Sequence, residues 1–90
     1  MYEMIVVFAH WCPKCNMMMP LVDEIENDYA ETLQVQRIDA EEHPNVMEQH
    51  QIEIVPTFII EFMGNEVGRM AGMIGEETFR RRIDEMIQKR

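Results

Sequence analysis

Both cysteines of this 90-residue chain fall inside one five-residue run, Trp11-Cys12-Pro13-Lys14-Cys15. No disulfide can therefore tie distant parts of the chain together, and the fold has to stand on an apolar core. The run also sits at a junction. Before it, residues 4–8 form a continuous apolar stretch rich in β-branched side chains, as suits a strand buried on both faces. After it the pattern turns helical. The residue before a proline is pushed out of the α region, and proline is favoured at the first helical position. Cys12 thus reads as an N-cap and Pro13 as the first helical residue. A thiol there faces unpaired backbone N–H groups and the positive end of the helix dipole, both of which favour a thiolate. Cys15 lies three residues on, on the same helix face and within reach of Cys12. One cysteine is placed to attack, the other to resolve.

Ninety residues make a single domain, 1–90, with room for a modest core, and the apolar fraction of 47% is that of a globular chain. No basic segment followed by an apolar stretch opens the sequence, and the apolar runs are far below membrane-span length. A cytoplasmic protein with no membrane partner is expected, and a monomer. The net charge of −9 argues against nucleic acid, since phosphate contacts need a basic face. An acidic surface can steer basic partners, or simply keep the chain soluble.

Along the chain, residues 13 to about 30 place Met18, Leu21, Val22, Ile25 and Tyr29 on one helix side, with Asp23, Glu24, Glu26 and Asp28 opposite. Pro20 falls inside this helix and should kink it. Residues 33–39 read as a second strand, and 43 to about 51 as a short helix burying Val46 and Met47. Residues 57–62 read as a third strand, Gly64-Asn65 as a turn, and 66–71 as an antiparallel fourth strand. After Gly75 a last helix carries the stripe Phe79, Ile83, Met86 and Ile87. The order β-α-β-α-β-β-α predicts an α/β fold in three layers, a four-stranded mixed sheet with helices on both faces. Arg80-Arg81-Arg82, with Lys89 and Arg90, reads as a solvated helix face, the last two suiting a helix C-terminus.

The chain resembles the thioredoxin superfamily over nearly its whole length. Trp11 to Cys15 corresponds to the family's Trp-Cys-x-x-Cys site after the first core strand, and Pro20 to its helix-kinking proline. Val55-Pro56-Thr57 is similar to the signature in which a hydrophobic residue precedes a cis-proline beside the site. Gly64 and Gly72 follow that proline at the family's spacing of eight and sixteen residues. In length the chain looks like a glutaredoxin-sized thioredoxin, without the added N-terminal strand and helix of larger members.

The resemblance implies thiol–disulfide exchange on protein disulfides, with Cys12 attacking and Cys15 resolving a mixed disulfide, and with no cofactor. Electrons would come from a thioredoxin reductase or another dithiol reductant. Trp11, Pro13 and Lys14 would tune the motif, Lys14 by adding a positive charge that favours the thiolate and a more oxidising couple than that of familiar thioredoxins. Val55, Pro56, Thr57 and Gly72 would contact substrate, the Val55 backbone pairing with an extended segment.

Two features depart from the family. Its buried aspartate in the first core strand is matched by Val6, and the lysine that partners that acid by Val35. A glutaredoxin-like electron donor is the nearest alternative. Against it, Lys14 stands where glutathione-dependent members carry tyrosine, and Gly72-Met73-Ile74-Gly75 replaces their glycine pair and acid. A soft-metal site built from Cys12, Cys15, His10 and the run Met17–Met19 is the other, but structural zinc wants four ligands and no second pair completes the set. No metal site is expected, and His10, His43 and His50 read as surface residues. Ten methionines in the chain suggest an adaptable contact surface.

Overall fold

The computed structural model describes residues 1–88, so Lys89 and Arg90, read above as a solvated helix end, lie outside the described residues. The strand β1 (Tyr2–Phe8) begins two residues earlier than the apolar run suggested. Tyr2 is buried, its ring 4.6 Å from Phe62 and its hydroxyl donating to the Ile87 carbonyl at 3.1 Å. Those contacts hold the strand's first turn of chain in the sheet. Helix α1 (Pro13–Asp28) follows, then β2 (Leu33–Asp39), α2 (Asn45–Gln49), β3 (Thr57–Phe62), β4 (Asn65–Ala71) and α3 (Glu76–Gln88). The sheet order is β2-β1-β3-β4, with β1 parallel to β2 and both β1/β3 and β3/β4 antiparallel.

Strand pleating sends alternate residues to opposite faces, and here each face has its own core. Met4, Val6, Phe58, Ile60 and Met70 pack with Met18, Val22 and Ile25 of α1 and with Phe79 and Ile83 of α3. The Phe58 and Phe79 rings meet edge to face at 4.9 Å. Ile5, Val7 and Ile59 pack on the other face against Val46 of α2 and Ile52 beyond it. The three predicted layers are therefore present, with α1 and α3 on one side and α2 on the other.

The departures from expectation are local. Helix α1 ends at Asp28 because the Tyr29 N–H still bonds back to the Ile25 carbonyl while the Tyr29 carbonyl takes the N–H groups of Thr32 and Leu33, turning the chain into β2. Helix α2 is shorter than the pattern suggested; Gln51 leaves the helical region with φ of 55°. The hairpin turn is centred on Met63-Gly64, not Gly64-Asn65: both central residues have positive φ, 53° and 84°, and Asn65 already pairs with Phe62 as the first residue of β4. Positive φ at both positions is what a two-residue hairpin turn needs to match strand twist. Pro20 lies inside α1, which runs on past it to Asp28.

Candidate active site

Strand β1 delivers the motif. Its last residues lead through Ala9, His10 and Trp11 to Cys12, whose N–H is held by the Ala9 carbonyl at 3.2 Å. Cys12 is extended (φ −91°, ψ 110°) and caps α1, with Pro13 in the first turn. Its sulfur accepts the Cys15 N–H at 3.2 Å and donates its own proton to the Val55 carbonyl at 3.7 Å. One of the donors that a helix start leaves open is thus spent on a sulfur. Val55 precedes Pro56, and the bond between them is cis.

Both thiols are buried, but only Cys12 lines a groove. Cys15 is fully buried among Ala9 and Cys12, whereas Cys12 lies at the wall of an apolar groove of about 590 Å³. Burial pushes the Cys15 thiol up to about 11, and its contact with the Cys12 sulfur pushes the same way. Trp11 and Lys14 line one side of the groove, Ile54 and Val55 the other, and Glu41 and Glu53 add carboxylates. Trp11 is 67% exposed and Ile54 52%, so large apolar surface stands open beside the Cys12 sulfur.

Among the sequence-predicted residues, Trp11, Cys12, Pro13, Lys14 and Val55 come together at the groove. Pro56, Thr57 and Gly72 are not among the residues that line it. Thr57 is buried and gives its hydroxyl to the Ile54 carbonyl at 2.7 Å. Gly72, at φ +82°, gives its N–H to the Pro56 carbonyl at 2.8 Å. Both hydrogen bonds brace the loop that carries Ile54 and Val55. Val6 is buried in the apolar core, paired with Phe58 and Arg37, so no carboxylate stands at that point of β1. Among the described residues no third His, Cys, Asp or Glu joins the two cysteines as a ligand cluster. Nor do the methionines gather there: Met17 is exposed, Met18 is core and Met19 is half-buried.

Sequence reasoning missed Glu41, Met47, Glu53 and Ile54, which shape the groove. It also missed the contact of His10 with Asp39, 3.1 Å apart. His10 is indeed mostly exposed, yet Asp39 is buried at the end of β2, beside the end of β1. An acid closing a strand parallel to the motif's own strand was the available signal.

The thioredoxin family model matches residues 2–85. The chain belongs to the thioredoxin family. It is 32% identical over 77 residues to Thioredoxin 1 of Synechococcus elongatus, covering 86% of this chain and 72% of that one. It is 30% identical over 80 residues to Thioredoxin of Chlorobaculum thiosulfatiphilum, covering 89% and 74%. It is also 30% identical over 81 residues to "Thioredoxin Y1, chloroplastic" of Arabidopsis thaliana, covering 90% of this chain but only 47% of that protein. The chain therefore spans about half the length of the chloroplastic relative and about three quarters of the bacterial ones. These thioredoxin matches support a thioredoxin-type thiol–disulfide oxidoreductase. No helix among the described residues is long and apolar enough to cross a membrane.

Proposed function

We propose that this chain is a dithiol reductase of protein disulfides, working through Cys12 and Cys15. The observation that carries the reading is the placing of the two sulfurs: Cys12 on the groove wall, Cys15 behind it with its N–H 3.2 Å from the Cys12 sulfur. A substrate disulfide entering the groove reaches Cys12 alone. The Cys12 thiolate attacks one substrate sulfur, a mixed disulfide forms, and the other substrate sulfur leaves as thiolate. That leaving thiolate takes the Cys15 proton, which Val6 has no means to accept. Cys15 then attacks the Cys12 sulfur, the second substrate sulfur departs, and the chain is left with a Cys12–Cys15 disulfide. Two electrons have passed to the substrate. A dithiol reductant or a thioredoxin reductase restores the thiols.

In the groove, Trp11 and Ile54 present apolar surface to the substrate chain, and the Val55 backbone pairs with its extended segment. Pro56, Thr57 and Gly72 hold that backbone in place. The proposal puts the protein in the cytoplasm as a monomer, in a compartment whose reducing poise keeps the dithiol charged.

Insulin reduction by dithiothreitol tests this. The wild-type chain should accelerate turbidity, Cys12→Ser should abolish the acceleration, and Cys15→Ser should accumulate a mixed disulfide visible by mass. Acceleration that survives Cys12→Ser would overturn the assignment.

A further inference from the structure

The contact between His10 and Asp39 has a property that an ordinary surface ion pair lacks. Asp39 is held rigidly: its Oδ1 accepts the Glu41 N–H at 2.8 Å, and its carbonyl accepts the N–H groups of Glu42 and His43 at 3.1 and 3.0 Å. Its other oxygen, Oδ2, is buried and makes no hydrogen bond. The side chain as a whole is 95% shielded from solvent, being 5% exposed. Burying an anionic oxygen with no donor is costly. What Oδ2 faces is His10 Nε2, 3.1 Å away but outside hydrogen-bond geometry. Glu42 supplies a third donor atom, and the three ligand atoms all lie within 4.8 Å of one another.

With His10 in the tautomer that leaves Nε2 unprotonated, two acceptors stand 3.1 Å apart, and a shared cation reconciles them. Zinc binds imidazole nitrogen and carboxylate oxygen at about 2.0–2.2 Å, and two such ligands subtending roughly 95–109° lie about 3.1–3.4 Å apart. The observed 3.1 Å fits that window. The donor set, one imidazole and two carboxylates, is one that zinc and its divalent neighbours accept, with the exposed side left for water. The supports around the ligands are also those of a built site. Carboxylate ligands are commonly fixed by hydrogen bonds through their other oxygen, which is what the Glu41 N–H does. The Ala40 N–H bonds the Phe8 carbonyl at 2.8 Å, tying the ends of β1 and β2 together, and the Phe8 ring lies 5.7 Å from that of His10.

We infer that His10, Asp39 and Glu42 form a site for a divalent transition-metal ion of the zinc type at the carboxyl ends of β1 and β2. It uses neither cysteine, so it is separate from the dithiol and from the soft-metal set considered from sequence, although it shares His10 with the latter. It stands whether or not the chain reduces protein disulfides.

Zinc chloride is titrated by calorimetry into the Cys12→Ser/Cys15→Ser chain and into the oxidised wild-type chain, so that free thiols cannot bind the metal. Cobalt chloride is titrated in parallel, reading the fluorescence of Trp11, the chain's one tryptophan and the neighbour of His10. Saturable one-to-one binding is expected, weakened at least about tenfold by His10→Ala and by Asp39→Asn. His10 is largely exposed, so His10→Ala keeps the fold even where Asp39→Asn disturbs it. Heats that never saturate, or an affinity that His10→Ala leaves unchanged, would overturn the site and leave a plain His–Asp ion pair.

Discussion

Cys15 is kept protonated first by desolvation and then by the neighbouring Cys12 sulfur, which together push it up to about 11 from an ordinary 9.0. An unfolded chain releases the same proton near the ordinary value. Between about pH 9 and 11 the folded state thus holds a proton that the unfolded state has lost. The stability this group confers is complete below pH 9 and is lost as pH rises toward 11, by up to about 1.4 kcal/mol per pH unit. Urea denaturation of the reduced protein at pH 8 and pH 10.5 should show the loss, and Cys15→Ala should show a shallower one. Equal slopes in the two proteins would remove Cys15 as the cause. At this scale the sequence was informative where chemistry is local. The N-cap role of Cys12 follows from Pro13 beside it, and the reach of Cys15 to Cys12 from helix spacing. At Thr57 and Gly72 the motif marks positions without saying where the hydroxyl and N–H point, which is to the Ile54 and Pro56 carbonyls. Asp39 was invisible as a partner of His10, since their meeting depends on two strand ends that only the sheet brings together.

Elements were more legible than residues, because each carries its period in its own sequence. The continuous apolar run of β1 and the stripe on α3 predict which side chains each buries, and Met4, Ile5, Val6, Val7, Phe79 and Ile83 are all buried. Turns were the weak point. The Gly64-Asn65 pair suggested a hairpin but with its centre one residue late, leaving Met63 at φ 53° and 81% exposed. An L-residue with a bulky side chain is disfavoured there, while Asn followed by Gly is the preferred pair for this turn. Met63→Asn should therefore stabilise the chain by about 0.5–1 kcal/mol, read as a higher urea midpoint at unchanged slope. No stabilisation would mean that the Met63 backbone is not strained in this way. The methionine run on α1 gives a second test at this scale. Met18 is buried in the core and Met17 points to solvent. Met18→Ala should cost about 2–5 kcal/mol, and Met17→Ala less than about 0.5 kcal/mol. Comparable losses at both positions would show that the helix face is misassigned.

The molecule as a whole carries 17 acidic against 8 basic side chains, and its groove presents Glu41 and Glu53 beside a single cation, Lys14. Among the described residues, three of the chain's eight basic side chains are engaged in ion pairs. Arg37 pairs with Asp23 and Glu26, Arg69 with Glu66, and Arg80 with Glu24, Asp28 and Glu76. These exposed pairs add little stability singly, but they leave the field around the groove dominated by unpaired carboxylates. A disulfide substrate flanked by lysines should meet a more favourable potential than one flanked by glutamates. Encounter is the step that such a field governs, so the difference belongs in kcat/KM. For two disulfide peptides of equal length, the basic one should react several-fold faster at about 20 mM salt. The ratio should shrink toward one at about 0.5 M, where the screening length falls below about 5 Å. Glu53→Gln, at an exposed groove carboxylate, should reduce the low-salt ratio and leave the high-salt rates nearly equal. A ratio that persists at high salt would point instead to short-range contacts in the groove. A ratio below one would mean that Lys14, the cation nearest along the chain to the reactive sulfur, outweighs the acidic surface in choosing substrates.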